Sequence, residues 1–326
     1  MNFRTEVFPK DLDKKITHDS KVLSLGSCFS VNIGNKLNQS GIHTSNNPVG
    51  TIFNPISLFN LLTTINQGKS LNEALFVNHL DVWMHHDLHS QFSTTDKSDL
   101  YSQFEKLTSQ VKHDLDDSTH VIITLGTAFV YEHIETEALI SNCHKVPQSN
   151  FKKRLLTVKE IKDSFDVIST LFSDKKVIFT LSPIRHTKEG IEENSLSKAT
   201  LKLAINEICE SQDNTYYFPS FEIFMDDLRD YRFYSEDLIH PNNTGIEYVW
   251  EKFKTAALDD DTILLTEKAL KIKRALSHRP FNPQAKEHLQ FLTGTLAQAK
   301  ELGKQVNLIS EIDELQLRID EFRKLK

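Results

Sequence analysis

Residues 22–30 read VLSLGSCFS, a mostly aliphatic run followed by a glycine, a serine and the start of a helical pattern. Short aliphatic runs of this kind are typical of parallel strands that are buried on both faces. Apolar residues at helical spacing then continue from residue 30 to residue 39. The stretch predicts a buried strand that turns at Gly26 and Ser27 into a helix.

The same alternation of short apolar runs and longer helical segments continues along the chain. Further strands are predicted at residues 121–125 and 177–181, with a weaker one at residues 216–218. The helical segments are residues 30–39, 56–66, 100–115, 158–172, 196–210 and 245–257. This alternation predicts an α/β fold, in which a parallel sheet carries helices on both faces.

A change in composition at the acidic residues 259–261 marks a predicted domain boundary. Residues 1–258 are expected to form the α/β domain and residues 259–326 a helical hairpin, whose helices are separated by HRPFNP at 278–283. The second helix carries a narrow apolar stripe, formed by Val306, Ile309, Ile312, Leu315, Ile319 and Phe322. The stripe predicts packing on the main domain or on a partner such as a second copy of the chain (a homo-oligomer), with a solvated helix as the alternative.

Composition narrows the range of partners. Of the 326 residues, 39% are hydrophobic and 25% are charged, and the formal net charge is only −7. This mild charge, without a cluster rich in Lys and Arg, predicts neither nucleic acid nor membrane as a partner. The N-terminus lacks an apolar run of signal-peptide length, and three widely spaced cysteines do not suggest a disulfide framework. A cytoplasmic location is therefore expected.

The candidate catalytic residues are a serine, an aspartate and a histidine. Ser27 follows the first strand, and the segment SEDLIHPN at 235–242 places Asp237 and His240 three residues apart. In a nucleophilic hydrolase the histidine accepts the serine proton and the aspartate orients the imidazole. The alternatives are structural: the serine could cap the helix, and the other two residues could cap the next helix. Cys28 is a rival nucleophile or an inert buried thiol.

Several ordered motifs resemble one protein family. Residues 26–30, GSCFS, resemble the motif that names the GSCFA-domain proteins, with serine in place of the final alanine. Similar stretches follow as NPVGTIFNP (47–55), TLGTA (124–128), NCHK (142–145), SPIRH (182–186) and RDYRFY (229–234). The resemblance extends to residue 257. The family is similar in turn to the SGNH (GDSL-type) hydrolases, which implies a three-layer α/β/α, flavodoxin-like domain with Ser27 as nucleophile, His240 as base and Asp237 as its partner.

The sequence departs from the SGNH pattern at the oxyanion hole. SGNH enzymes use a glycine amide from a second block and an asparagine from a G-x-N-D block, whereas Ala128 occupies the asparagine position here. Losing one oxyanion donor typically lowers the rate by ~10²–10³. Candidate donors are the amides of Ser27 and Gly50 and further amides at the start of the helix at Cys28. Further candidate donors are Gly126, Thr127, Asn54 and Asn142. The alternative for these residues is a structural role in turns.

Two further segments carry polar side chains. Arg185 and His186 follow a predicted strand, where an arginine could hold a carboxylate, a phosphate or a sugar hydroxyl, or form a structural ion pair. WMHHDLHS at 83–90 contains three histidines and an aspartate, which could bind a transition metal. However, His85 and His86 would point apart on a strand, and no second cluster completes a ligand set. No metal and no cofactor are therefore predicted.

Together these features predict a serine-type hydrolase that cleaves an oxygen ester. Analogy at the level of the fold suggests a small-molecule or carbohydrate substrate, such as an O-acetyl ester of a sugar. Two alternatives stay open: an O-acyltransferase that uses the same three residues, and a domain that binds a ligand or partner without turnover.

Overall fold

The computed structural model describes residues 3–188 and 190–324. Its strands are β1 (Lys21–Gly26), β2 (His43–Asn46), β3 (Phe76–His79), β4 (Val82–His85), β5 (His120–Leu125), β6 (Phe129–His133), β7 (Leu139–Ile140), β8 (Phe151–Leu155), β9 (Lys176–Leu181) and β10 (Thr215–Phe218). Its α-helices are α1 (Cys28–Gln39), α2 (Pro55–Asn66), α3 (Lys97–Asp117), α4 (Val158–Ile168), α5 (Ile191–Ser211), α6 (Ser220–Glu222), α7 (Asn243–Ala257), α8 (Asp260–Ser277), α9 (Lys286–Leu302) and α10 (Ile309–Lys324).

Five parallel strands form the central sheet in the order β2–β1–β5–β9–β10. The four predicted strands are confirmed as β1, β5, β9 and β10. The edge strand β2 was not predicted, because its sequence HTSN contains no apolar run. The order reverses between β1 and β5, and in such sheets ligands bind in the crevice outside the carboxyl ends of the strands at this switch point.

Side chains of the central strands alternate between two hydrophobic cores. In β5, Val121 and Ile123 pack in a core with residues of α2, α3, α4 and α5, whereas Ile122 packs in a second core with residues of α1 and α7. Alternation follows from the two-residue period of a strand. The predicted α/β architecture with helices on both faces is therefore confirmed.

Two small antiparallel sheets, β3–β4 and β7–β6–β8, were not predicted. Their strands are short and mixed in polarity, as in FKKRL of β8, so they carry neither a long apolar run nor a clear alternation. Leu80 and Asp81 connect β3 and β4 with φ angles of 52° and 59°, as a tight hairpin turn requires. Leu75, Ile140 and Phe151 form a small core of their own in this part of the chain.

Residues 259–324 of the C-terminal extension contain three helices, α8, α9 and α10, which corrects the predicted hairpin. Gly303 ends α9, and α10 begins only at Ile309, so the expected long helix is interrupted. Buried residues of α8, α9 and α10 share one core, to which Leu315 and Ile319 of the predicted stripe contribute. Ile309 is 69% exposed. The stripe therefore packs mainly inside the extension.

No described helix is both long enough and apolar enough to cross a lipid bilayer.

Candidate functional site

The turn from β1 to α1 depends on a glycine. Gly26 has a φ of +117°, and a Cβ at this position would lie 2.1 Å from the carbonyl oxygen of Thr124 on β5. Ser27 is the N-cap residue of α1, but its side chain makes no capping hydrogen bond. Its Oγ is buried and has no hydrogen-bond partner in the described part of the chain. Helix capping therefore does not explain this serine, and a buried polar atom left without a partner is unusual enough to suggest a functional role.

Asp237 and His240 form a hydrogen-bonded pair, as predicted from their spacing. One carboxylate oxygen, Oδ1, accepts the amides of Ile239 at 2.9 Å and His240 at 3.0 Å. The other, Oδ2, lies 2.6 Å from Nδ1 of the imidazole. These bonds, above all the one from the His240 amide, lower the pKa of Asp237 to about 2. The carboxylate is therefore charged at neutral pH, and it fixes the ring so that Nε2 is left for a second partner.

A pocket of about 480 Å³ lies at the carboxyl edge of the sheet. Its lining residues are Cys28, Phe53, Thr127, Phe129, Tyr131, Lys153, Ile184, Arg185, His186, Thr187, Lys188, Ile239 and His240. Ser27 is 0% exposed and lies next to the wall residue Cys28. The structure thus brings the predicted base and the predicted nucleophile to one edge of the sheet without a hydrogen bond to Ser27 Oγ within the described ranges.

The neighbouring thiol is not an activated nucleophile. Burial raises the pKa of Cys28, although the amides of Cys28 and Phe29 and the ammonium group of Lys198 act in the opposite direction. A thiol with a raised pKa carries little thiolate at neutral pH, and the thiolate is the reactive form. Cys28 is the first residue of α1, so the start of this helix lies at this wall of the pocket.

Two predicted oxyanion donors are engaged elsewhere. The amide of Ser27 donates to Thr124 O at 2.9 Å, and the amide of Gly50 donates to Asn47 O at 2.8 Å. The first bond holds β1 against β5, and the second closes the turn in which the glycine adopts a φ of +75°. The prediction that these amides face an oxyanion is therefore corrected.

The strand end after β5 supplies a wall of the pocket rather than a free amide. The amides of Gly126 and Thr127 both donate to Phe53 O, at 2.8 and 3.0 Å. Thr127 lines the pocket, and its hydroxyl lies 3.0 Å from Oγ of Ser197 on α5. Gly126 is thus a packing position, and the threonine is the member of this pair that a ligand would meet.

Neither predicted asparagine replaces the missing side chain of the third block. Asn54 is buried and caps α2, since its Oδ1 accepts the Ser57 amide at 2.8 Å. Asn142 accepts the His144 amide at 3.1 Å and lines a separate pocket of about 440 Å³. Both predictions are corrected, because local turns and caps use these side chains.

Arg185 and His186 line the main pocket, as expected for a substrate-side loop. The guanidinium group of Arg185 donates to the carbonyl oxygen of Leu238, and it lies 5.3 Å from the ring centre of Tyr231 and 4.8 Å from that of Tyr234. The ring of His186 meets Phe53 edge-on, with 5.2 Å between their centroids. Arg185 thereby connects the loop after β9 to the turn that carries the Asp–His pair.

The histidines of the small sheets are bound to backbone carbonyls. His85 Nε2 lies 3.0 Å from Asn72 O, His86 Nδ1 lies 2.7 Å from Asn142 O, and His144 Nε2 lies 2.8 Å from the carbonyl oxygen of His85. In the described ranges, no three His, Cys, Asp or Glu residues are grouped as ligands of one metal ion. These rings are accordingly structural.

Burial of these rings predicts a loss of stability in acid. Burial lowers the pKa of His85 to about 4, so the folded state favours the neutral ring. Its stabilising contribution is complete above the unfolded pKa of ~6.5 and is lost as the pH falls toward 4, by about 3 kcal/mol at most. Urea unfolding at pH 7 and pH 4.5 should show a smaller pH effect in His85→Gln than in the unchanged protein. The exposed control His79→Gln should keep the full effect, and an equal effect in all three would contradict the prediction.

Sequence reasoning missed one residue beneath the pocket, Lys198 on α5. It is 2% exposed, and its Nζ donates to Gly126 O and Ser182 O at 2.7 Å each. A signal was present, because this lysine stands three residues before Leu201 and seven before Ile205 on the apolar face of the helix.

Strand order and side chains together define the class of protein. It is a doubly wound α/β protein with a candidate active site, built around an Asp–His pair and a buried serine, at the carboxyl edge of the sheet. Residues 21–253 match the model of the GSCFA family, and residues 269–321 match that of the GSCFA domain protein, C-terminal domain. The chain belongs to the GSCFA family. A comparison with curated proteins found no match.

Proposed function

We propose that this GSCFA protein is a serine-type hydrolase that cleaves an oxygen ester, with a mechanism like that of the SGNH enzymes. One observation carries the proposal. His240, held by a charged Asp237 at 2.6 Å, lines a pocket that also includes Cys28, the residue after Ser27, and the Oγ of this serine has no partner among the described residues. A base, its orienting carboxylate and an uncommitted hydroxyl are the parts that nucleophilic acyl transfer requires.

In the proposed reaction, Nε2 of His240 takes the proton of Ser27 as Oγ attacks the acyl carbon. The tetrahedral intermediate then collapses, and the imidazolium returns its proton to the leaving alcohol. Water, activated by the same imidazole, releases the acid and restores the serine. Asp237 stabilises the imidazolium throughout, which its low pKa allows because the carboxylate remains charged.

Attack requires the hydroxyl of Ser27 to turn toward the pocket. The side chain is 0% exposed, so the present rotamer does not face a substrate. The rotation breaks no hydrogen bond within the described ranges, because Oγ has none there. We therefore assign the present arrangement to a resting state of the site.

The first turn of α1 supplies the proposed oxyanion hole. The amides of Cys28 and Phe29 belong to the first turn of the helix, whose N–H groups have no acceptor within the helix. Cys28 lines the pocket, so these amides lie beside it, and the helix dipole favours an anion at this end of α1. They take the role for which the Ser27 and Gly50 amides were considered.

The pocket suits a small acyl ester. Its volume of about 480 Å³ falls within the usual size of ligand sites, and its aromatic walls are Phe53, Phe129 and Tyr131. An O-acetyl ester of a carbohydrate is the substrate class that we propose. Transfer of the acyl group to a sugar hydroxyl would use the same acyl-enzyme and is favoured if the closed site excludes water.

A second candidate is a binding domain without turnover. It is favoured by the buried position of Ser27 and by Ala128 at the place of the usual oxyanion asparagine. In this case the pocket would bind the ester without cleaving it.

A fluorophosphonate probe tests the proposal, because it reacts with activated serines. We expect peptide mass spectrometry to find the adduct on Ser27, and to find none in His240→Ala, since the hydroxyl then has no base. Circular dichroism would verify that the variant is folded. A folded, unlabelled protein would favour the binding domain, and an adduct on Cys28 would show that the nucleophile is misassigned.

A further inference from the structure

A buried lysine lies beneath the candidate active site. The ammonium group of Lys198 contacts two carbonyl oxygens, Gly126 O at the end of β5 and Ser182 O at the end of β9. These two strands are neighbours, and both ends open toward the pocket. The bonds therefore hold together the two strand ends that carry the pocket loops.

Ser197, the residue before this lysine, also bonds α5 to the segment after β5. Oγ of Ser197 accepts the amide of Ala128 at 2.8 Å and lies 3.0 Å from the hydroxyl of Thr127. Two consecutive residues of α5 thus bind the backbone or side chain of three consecutive residues, Gly126 to Ala128. This is the block in which the expected oxyanion asparagine is missing.

No carboxylate neutralises the lysine among the described residues. It forms no ion pair there, and the only titratable side chain that acts on it is Cys28, at the pocket wall. From α6, the ring of Phe221 faces Nζ at 5.9 Å, and the strand ends contribute only carbonyl groups. The positive charge therefore lacks a partner unless an anion occupies the pocket.

We infer that Lys198 is a positioning residue of this pocket, which holds the ends of β5 and β9 and supplies a buried positive charge to an anion formed near Cys28. The inference rests on the proposed function in taking this pocket as the active site. In that reaction the anion is the oxyanion of the tetrahedral intermediate, which the first turn of α1 binds.

The pKa of Lys198 lies near neutral pH. Burial lowers its pKa to about 7, and a negative charge at Cys28 opposes that shift. A neutral amine has two hydrogens, which match the two carbonyl acceptors, whereas an ammonium group has three and leaves one unsatisfied. An anion in the pocket therefore raises the pKa of Lys198, and its binding should be accompanied by proton uptake near pH 7.

The reactivity of the Cys28 thiol tests the inference without requiring turnover. Iodoacetamide alkylates thiolates, and peptide mass spectrometry can follow Cys28, Cys143 and Cys209 separately. For an isolated thiol, the logarithm of the rate rises with a slope of one against pH below the thiol pKa. We expect the slope for Cys28 to fall below one around pH 7, where Lys198 loses its proton, and the other two cysteines to show no such break.

Two lysine variants distinguish an effect of the Lys198 charge on the thiol from an effect on the fold. In Lys198→Met we expect the change of slope near pH 7 to disappear. The rate of Cys28 alkylation at pH 6 should fall about tenfold, which corresponds to a rise of about one in the thiol pKa. Lys202→Met is the matched control, because this lysine lies one turn further along α5 and pairs with Glu222 at 2.7 Å. It should leave the Cys28 profile unchanged.

Equal Cys28 rates at pH 6 in the protein with and without Lys198 would overturn the inference. If Lys198→Met fails to fold, Lys198→Gln makes the same comparison, because it also removes the charge. Failure of the proposed function would appear separately, as a missing fluorophosphonate adduct on Ser27.

Discussion

Ser27→Ala is expected to lower the rate of hydrolysis of a small acetyl ester by a factor of about 10³ or more. In serine hydrolases the nucleophile and its base act as one unit, so removing the hydroxyl removes most of the rate that both provide. The fold should tolerate the change, because Oγ is buried and forms no hydrogen bond within the described ranges. Steady-state kinetics with purified protein measure the effect, and urea unfolding verifies the fold.

Cys28→Ala is the control for this experiment, because it changes the adjacent residue on the pocket wall. Its thiol has a raised pKa and no role in the proposed reaction, so we expect the rate to change by no more than a few-fold. If Ser27→Ala kept its activity while Cys28→Ala lost it, the thiol would be the nucleophile. Full activity in both variants would show that any hydrolysis arises elsewhere.

Gly26→Ala is expected to destabilise the fold by about 3 kcal/mol or more, because strain and overpacking add at this position. A φ of +117° is unfavourable for any side chain, and the new Cβ would lie 2.1 Å from the carbonyl oxygen of Thr124. Relief requires β1 to move away from β5, which would also displace Ser27. Urea unfolding measures the loss, and ester hydrolysis should fall along with stability.

Gly294→Ala provides the matched control on α9. Apart from its chain neighbours and the backbone of its own helix, no described heavy atom lies within 4 Å of a Cβ at this position, so the new methyl group causes no clash there. Alanine forms helices better than glycine, and we expect a gain of roughly 0.5–1 kcal/mol. Equal stability of Gly26→Ala and the unchanged protein would contradict the described turn between β1 and α1.

The central sheet was predictable because parallel strands are buried on both faces. Their sequences, such as VIITL of β5, therefore form apolar runs that stand out from the helical segments. The edge strand β2 and the antiparallel strands have partly polar sequences. Whether such segments form strands depends more on the strands they pair with than on their own composition. The break before α10 was missed because the apolar spacing continues across Gly303, although the helix does not.

The chemistry of the site was predictable only in part. The spacing of Asp237 and His240 indicated their contact, because both lie in one short turn. The oxyanion donors were not predictable, since an amide such as that of Gly50 is available only if no other carbonyl already accepts it. Contacts between distant segments decide this question, and the same is true of Lys198, whose two acceptors lie on different strands.

The contact between Arg185 and the carbonyl of Leu238 has a mechanical consequence. Arg185 lines the pocket, and its guanidinium group also donates a hydrogen bond to the turn that carries His240. Two tyrosine rings lie beside this group. A ligand that binds and displaces Arg185 is therefore expected to displace the turn that carries His240 as well. If His240 is the base that we propose, an acidic group of a ligand that binds Arg185 would also shift the position of the imidazole.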